Sequence, residues 1–524
     1  MLASTTTTRT ALHIVPLTAA LASRAASSMS AMHPQPQPKK EGDISSVFVS
    51  LSGTAAEPLP QRFAQLKRDL IAGREREIEA SWRRLLKELK SENEIITAKG
   101  PGIVPSVNFN DVQNGSMPGE FVEEVKKRGV AVVRGVIPSP EARGYKIEVE
   151  DYVRANPHTK AFPPSKPAVF ELYWSAAQLK ARGHANLLKA QKALMGLWDT
   201  DASRGKGEGE GQREGGKVIS TKHPLSYADR VRIRPPGDSG FALGPHIDGG
   251  SLERWEPEGY GSIASSPSSA LKHISPYTSI FEGQWENYSP FDATSRLGVV
   301  SDLYNGAGAC SMFRMFQGWL SMSETGPGEG TLKVYPAVGL STAYFLLRPF
   351  FAPIAPQSSL RSEEEYLAEE NWRLLRGEEV TSEIQGAYPG HAQELSEELH
   401  PHLELARTMV HIPRIAPGDY VVWHCDSIHA VDAVHNGSSD SSVLYIPVCP
   451  LTDSNAQYLA RQREAFVNGT PGPDFPGGKG ESDHAGRPTV DFDLGREGRQ
   501  MFGLEKIEGE GQAVSRANGV LGFA

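Results

Sequence analysis

The stretch APGDYVVWHCDSIH, residues 416–429, decides how the chain folds. It opens on a Pro-Gly-Asp turn, runs through the apolar and β-favouring tract Tyr420 to Trp423, and turns again before a histidine. The same texture recurs on either side of it. RVRIRPPGD (230–238), CSMFRMFQGWLSM (310–322), GEGTLKVYP (328–336) and SSVLYIPVCP (441–450) are short strand-like runs between Gly/Pro turns. Many short strands separated by turn chemistry predict a β-sandwich or barrel, and a jelly roll is a common solution for such a chain.

Outward from this core the periodicity changes. Between Leu59 and Ile96, the residues Leu66, Leu70, Ile78, Trp82, Leu85, Leu86 and Leu89 recur at helical spacings, with charged residues on the solvated face. EFVEEVKKRGVAVVRGV (120–136) reads as a short helix ended by Gly129 and followed by a strand from Val130 to Val133. A second helix starts near Pro140, and the segment ending at Trp198 is again helical, with Phe170, Tyr173, Trp174 and Trp198 read as core. GKGEGEGQREGG (205–216) has nothing to bury and reads as a flexible linker. One helical interruption is expected around SEEEYLAEENWRLLRGEE (362–379), and the Pro/Gly-rich end of the chain is expected to wrap the surface. The expected class is therefore α+β with a mainly β core. A leader (1–43) precedes a helical N-terminal region (44–220), a β core (221–450) and a C-terminal extension (451–524).

Bulk properties narrow the function classes. The formal charge of −9 in 524 residues leaves no basic field for nucleic acid or an anionic membrane, so a small-molecule partner is expected. No apolar run approaches the length of a membrane span. Cys310, Cys425 and Cys449 are too few and too scattered for a disulfide scaffold or a multi-thiolate zinc site, which points to an intracellular protein. Residues 1–40 hold no Asp or Glu, eleven Ser or Thr, and Arg9, Arg24, Lys39 and Lys40. That composition fits a mitochondrial transit peptide; the alternatives are a leader with no address, in a cytoplasmic protein, or a true start at Met29 or Met32.

The chemistry rests on histidine and aspartate. GPHIDGGSLERW (244–255) carries His246 and Asp248, but with 15 histidines roughly one His-Xaa-Asp is expected by chance, and HCD (424–426) is a second. A non-haem iron site needs two imidazoles and one carboxylate on one face of the metal, leaving the other face open. His246 and Asp248 follow a predicted strand in a Gly/Pro-rich turn, and His429, beyond several strands, supplies a third ligand. The rival set His424, Asp426 and His484 lacks strands that would return His484 to the others. His424 is read as structural, as are His223, His273, His411 and His435. The loop GSLERWEPEG (250–259) reads either as a substrate wall, with Glu253, Arg254 and Trp255, or as plain structure.

HIDGG, WLSMSETGPGEGTLKVYP and PGDYVVWHCDSIH together resemble phytanoyl-CoA-hydroxylase-type Fe(II)/2-oxoglutarate-dependent dioxygenases. A longer set, FELYWSAAQLKAR, RIRPPGD, PHIDGGSLERW, WHCDSIHAV, YIPVCPLT and REAFVNGTPGPDFPGG, is similar to the domain of unknown function 1479 family of the same superfamily, and covers most of the chain from about Leu59. The resemblance implies a double-stranded β-helix, the jelly roll of that superfamily, with His246, Asp248 and His429 as ligands of Fe(II). It further implies 2-oxoglutarate as cosubstrate and dioxygen as oxidant, with oxidation of a small-molecule metabolite. A non-catalytic jelly roll binding a metal or a carboxylate is the alternative from another class.

One departure stands out. The family pattern places an arginine about ten residues beyond the second histidine to pair the distal carboxylate of 2-oxoglutarate, and here HNGSSDSSV (435–443) contains no cation. Arg232, Arg234, Arg314 and Lys333 are the replacements on offer. Strand alternation sets Arg314 opposite Trp319, which matches an aromatic of the family's cosubstrate pocket, so Arg232 or Arg234 is preferred.

Overall fold

Alternation in the strand Phe316–Ser321 sorts its side chains between two layers: Phe316 and Leu320 join a core shared with helices, while Trp319 joins a core shared with other strands. The neighbouring strands obey the same rule. Val421 and Trp423 of Tyr420–His424, and Val443 of Ser441–Tyr445, lie on the Trp319 side, whereas Tyr420, Val422 and Leu444 lie on the other. The computed structural model describes residues 39, 43–52, 57–114, 117–200, 218–240, 242–261, 275–306 and 309–523. The leader through residue 38, the tract 205–216 and His273 lie outside the described residues.

The larger sheet has eight strands, ordered Ser106–Asn108, Val130–Arg134, Tyr420–His424, Phe316–Ser321, Ser441–Tyr445, Val231–Arg234, Val169–Phe170 and Ala161–Phe162. All neighbours run antiparallel except the first pair. The smaller sheet has five strands, ordered Gln393–Glu394, His246–Ile247, His429–Val431, Leu332–Val334 and Val410–His411, all antiparallel. Trp319, Val421, Trp423 and Val443 of the first sheet share one buried cluster with Val334 and Leu332 of the second. The protein is thus a mixed α and β structure built on large antiparallel sheets flanked by helices. No helix among the described residues is long and apolar enough to cross a membrane.

The N-terminal periodicity resolves into two helices, Arg62–Leu70 and Glu75–Lys99, because Gly73 adopts a left-handed φ of 74° between them. Ile78, Trp82, Leu85 and Leu89 of the second bury completely, and Trp82 stacks on Phe351 at 4.3 Å. As expected, Gly129 (φ 69°) ends the helix Gly119–Arg128 and starts the strand Val130–Arg134. Beyond the strand Val130–Arg134, the largely helical region before residue 220 also gives three short strands to the larger sheet.

Two expectations are corrected. The tract 362–379 holds only a five-residue helix, Glu363–Leu367, followed by the strand Trp372–Leu374, which pairs with Phe351–Pro353. Its acidic run has no apolar partners at helical spacing, while Trp372 and Leu374 bury on either side of an exposed Arg373. The C-terminal extension does more than wrap. Its helices Asp453–Asn468 and Gln512–Leu521 close a separate core with Tyr173, Trp174 and Leu225.

Candidate metal centre

His429 is the direct register partner of His246, so the pairing of two short strands brings together imidazoles that lie far apart in the chain. Their ring centroids are 4.1 Å apart. Asp248, just past the end of the strand His246–Ile247, turns back between them: its Oδ1 is 3.6 Å from Nε2 of His246 and its Oδ2 is 3.4 Å from Nε2 of His429. Each ring is oriented by its other nitrogen. Nδ1 of His246 donates to the carbonyl of Gly244 at 2.7 Å, and Nδ1 of His429 to that of Ser427 at 3.1 Å. A carbonyl only accepts, so both protons sit on Nδ1 and both Nε2 lone pairs face Asp248.

The electrostatics agree with that tautomer. Burial, aided by the neighbouring His429, pushes the His246 imidazole down to about 4, so it is neutral near pH 7. Burial opposes the charge of Asp248, but the His429 and His246 rings and Arg314 outweigh it and hold the carboxyl well below the usual range. Phe48 meets His246 edge-on at 4.8 Å, and Trp423 lies 5.1 Å from His429, so apolar walls flank the three donors. Asp248 keeps 27 % of its side chain exposed, which leaves one face open. Two imidazoles and one carboxylate, with the donor atoms all within 4.8 Å of one another, suit a divalent transition ion.

The turn between them is pinned rather than loose. Gly249 and Gly250 take φ of 81° and 89°, and a Cβ at Gly250 would come within 2.8 Å of the Ser301 carbonyl. Arg254, 2 % exposed, donates to the carbonyls of Asp248 and Gly250. Glu253 accepts from the backbone of Ser251 and Leu303, and Trp255 is fully buried. Glu253, Arg254 and Trp255, the side chains named for a substrate wall, are thus all buried, and the first two hold the turn.

The four cosubstrate candidates separate. Arg234 is fully buried and fully engaged, with Nε on Asp238 at 2.7 Å and its other nitrogens on the carbonyls of Asp432 and Asp238. Arg232 lies on the Val443 side of the larger sheet beside Tyr445, 2 % exposed, and its Nε finds no hydrogen-bond partner among the described residues. Arg314 precedes the strand Phe316–Ser321, so alternation with Trp319 does not govern it. Its guanidinium lies over Tyr227 and reaches the metal turn, where a Cβ at Gly249 would sit 3.9 Å from Nη2. Trp319 is buried in the core between the sheets, as the register partner of Tyr445 and Val421. Lys333 pairs with Ala430 and so faces away from His429.

A Gig2-like family model matches residues 57–504. The chain belongs to the Gig2-like family. It is 30 % identical over 426 residues to the uncharacterised protein YbiU of Escherichia coli (strain K12), covering 79 % of this chain and 89 % of that one. The crystal structure of GlcNAc Inducible Gene 2, GIG2 (DUF1479), from Candida albicans is similar at a TM-score of 0.73 and 30 % identity, over 90 % of this chain and 96 % of that one. A protein of Salmonella typhimurium LT2, described as a candidate oxidoreductase, is similar at a TM-score of 0.66 and 28 % identity, over 85 % and 99 %.

In this Gig2-like chain the rival triad is split. His424 stacks on Trp198 at 4.8 Å, donates from Nε2 to the Pro290 carbonyl and accepts at Nδ1 from the Asp426 backbone, so neither nitrogen is available to a metal. Asp426 is held by Arg296 at 2.6 Å and by the hydroxyls of Tyr277 and Tyr288. His484 is elsewhere, grouped with His158 and Asp483. The structure also adds residues that the motifs did not single out. Gln317, on the Trp319 face and paired with Trp423, is 3 % exposed, and neither its Nε2 nor the Trp423 Nε1 has a partner among the described residues. The signal was present in the chain, since Gln317 lies two positions before Trp319 and must share its face.

Proposed function

We propose that this Gig2-like protein is an Fe(II)- and 2-oxoglutarate-dependent dioxygenase that oxidises a small-molecule metabolite. The observation that carries this reading is the meeting of His246, Asp248 and His429 with both Nε2 atoms unprotonated and one face open. On this reading the two sheets form a double-stranded β-helix with the metal at one end. The candidate oxidoreductase among the relatives agrees with it. Bound there, iron and 2-oxoglutarate would supply oxidative decarboxylation coupled to oxidation of a substrate C–H bond.

The chain's own contribution is position and charge. His246, Asp248 and His429 hold the ion. Arg232, a buried cation with an unmet donor, takes the distal carboxylate of 2-oxoglutarate, in the role that the missing downstream arginine plays in the phytanoyl-type pattern. Gln317 and Trp423 add N–H donors directed at the same side of the larger sheet. Phe48 and Trp423 exclude water from the two imidazoles.

The test is spectroscopic. Protein mixed anaerobically with Fe(II) and 2-oxoglutarate is expected to develop a visible metal-to-ligand charge-transfer band, lost when His246 and Asp248 are both changed to Ala. On admission of air the intact protein is expected to form succinate. Absence of the band would refute the reading; a band without succinate would mark a carboxylate-binding protein that does not turn over.

A further inference from the structure

We propose that the substrate of this centre is itself an anion, and that Arg314 is the residue that receives its negative group, a carboxylate or a tetrahedral oxyanion. The inference rests on the dioxygenase reading and follows from the charges it brings together. A divalent ion, the Asp248 carboxylate, the two carboxylates of 2-oxoglutarate and the Arg232 guanidinium cancel in charge. The other arginines of the segment 230–234 are already matched. Arg234 pairs with Asp238, and Arg230 lies 3.3 Å from Asp229 and 3.8 Å from Glu171. Arg314 is left over.

Its setting fits that role. Among the described residues no carboxylate lies within ion-pair distance of Arg314. Its guanidinium is carried by the Tyr227 ring at 5.7 Å and lies against Gly249, next to Asp248. It reaches Gly249 from the segment before Phe316–Ser321, whereas Arg232 stands on the strand Val231–Arg234 beside Tyr445, so the two cations come from different segments of the fold. Tyr227 is itself fixed by its hydroxyl on Asp474 at 3.0 Å, which holds the platform still. A partly exposed guanidinium beside Asp248, with no carboxylate at ion-pair distance, leaves room for a ligand anion to complete its pairing.

The experiment uses two probe anions, sulfate and acetate, at constant ionic strength, on protein loaded anaerobically with Fe(II) and 2-oxoglutarate. Tryptophan fluorescence and the charge-transfer band are read together. Saturable binding of at least one probe is expected, weakened tenfold or more in Arg314→Gln and partly restored in Arg314→Lys, while 2-oxoglutarate affinity changes less than twofold. Sulfate preferred over acetate would assign a phosphate- or sulfate-bearing substrate, and the reverse a carboxylic acid. The proposal is overturned if neither probe saturates the intact protein, if Arg314→Gln binds them as well as the intact protein does, or if Arg314→Gln weakens 2-oxoglutarate instead. Failure of the dioxygenase reading is separable, because it removes the band and leaves the fluorescence titration readable.

Discussion

Arg254 donates through Nη2 to the backbone carbonyl of Asp248 at 3.0 Å, and so holds the backbone of the candidate carboxylate ligand. Its Nη1 holds the Gly250 carbonyl at 2.6 Å, and the same guanidinium lies 3.6 Å from Asp426, in the turn that leads to His429. One side chain thus ties together the two chain segments that meet at the candidate metal centre. Arg254→Lys keeps a charge near Asp426 but cannot bridge both carbonyls. It is expected to weaken metal binding by about tenfold to a hundredfold, with the circular dichroism spectrum of the intact protein. A Co(II) or Fe(II) titration checks this, and unchanged affinity would show that the two glycines hold the turn unaided.

Replacing any one of His246, Asp248 or His429 by Ala is expected to abolish retention of Fe(II) through gel filtration while leaving a folded monodisperse protein. Metal content per chain is the measurement, and full retention in any one variant would remove that residue from the ligand set.

Arg232 and Arg234, two residues apart on one strand, are expected to respond in opposite ways. Arg234→Met strands the buried Asp238 carboxylate and is expected to cost about 3–5 kcal/mol of stability. Arg232→Gln removes a buried guanidinium with an unmet donor and is expected to leave the melting temperature unchanged or raised, with 2-oxoglutarate affinity down at least tenfold. Denaturation curves together with a 2-oxoglutarate titration separate the two, and a stability loss in Arg232→Gln would make that arginine structural.

Glu481 predicts a pH dependence remote from the metal. Burial pushes its carboxyl up to about 7, although the Tyr173 and Trp174 amides and the Tyr152 hydroxyl donate to it. The unfolded chain releases that proton near 4.5 and the folded one near 7, so the folded state holds the extra proton between those values. The stabilisation is complete below about pH 4.5 and is lost as pH rises through 7, a change of about 3 kcal/mol. Glu481→Gln is expected to match the intact protein near pH 5 and to melt higher than it at pH 8. Parallel melting curves across that range would contradict the assignment.

Much of this was legible before folding, because the signals are local. Alternation named the strands around Trp319, Val421 and Val443. Helical spacing named Ile78, Trp82 and Leu89 as one buried face, and Gly129 marked a helix end. The sequence motifs also picked out His246, Asp248 and His429, which the fold then brought to one point. The tract 362–379 was misread because charge composition resembles a helix until its two buried residues find a partner strand.

The arginines show where the chain alone stops. Arg232 and Arg234 are the same residue type on the same strand face, and no local pattern distinguishes them. Asp238 folds back onto one and not the other, so one becomes a structural ion pair while the Nε of the other has no hydrogen-bond partner among the described residues. Alternation ranks Arg314 only after Arg232 and Arg234, because its position before the strand, and its reach to the metal turn, exist only once the sheets have closed. Identity and period are written residue by residue. Pairing of buried charge depends on which segments the fold brings within a few ångströms, and that is a property of the whole molecule.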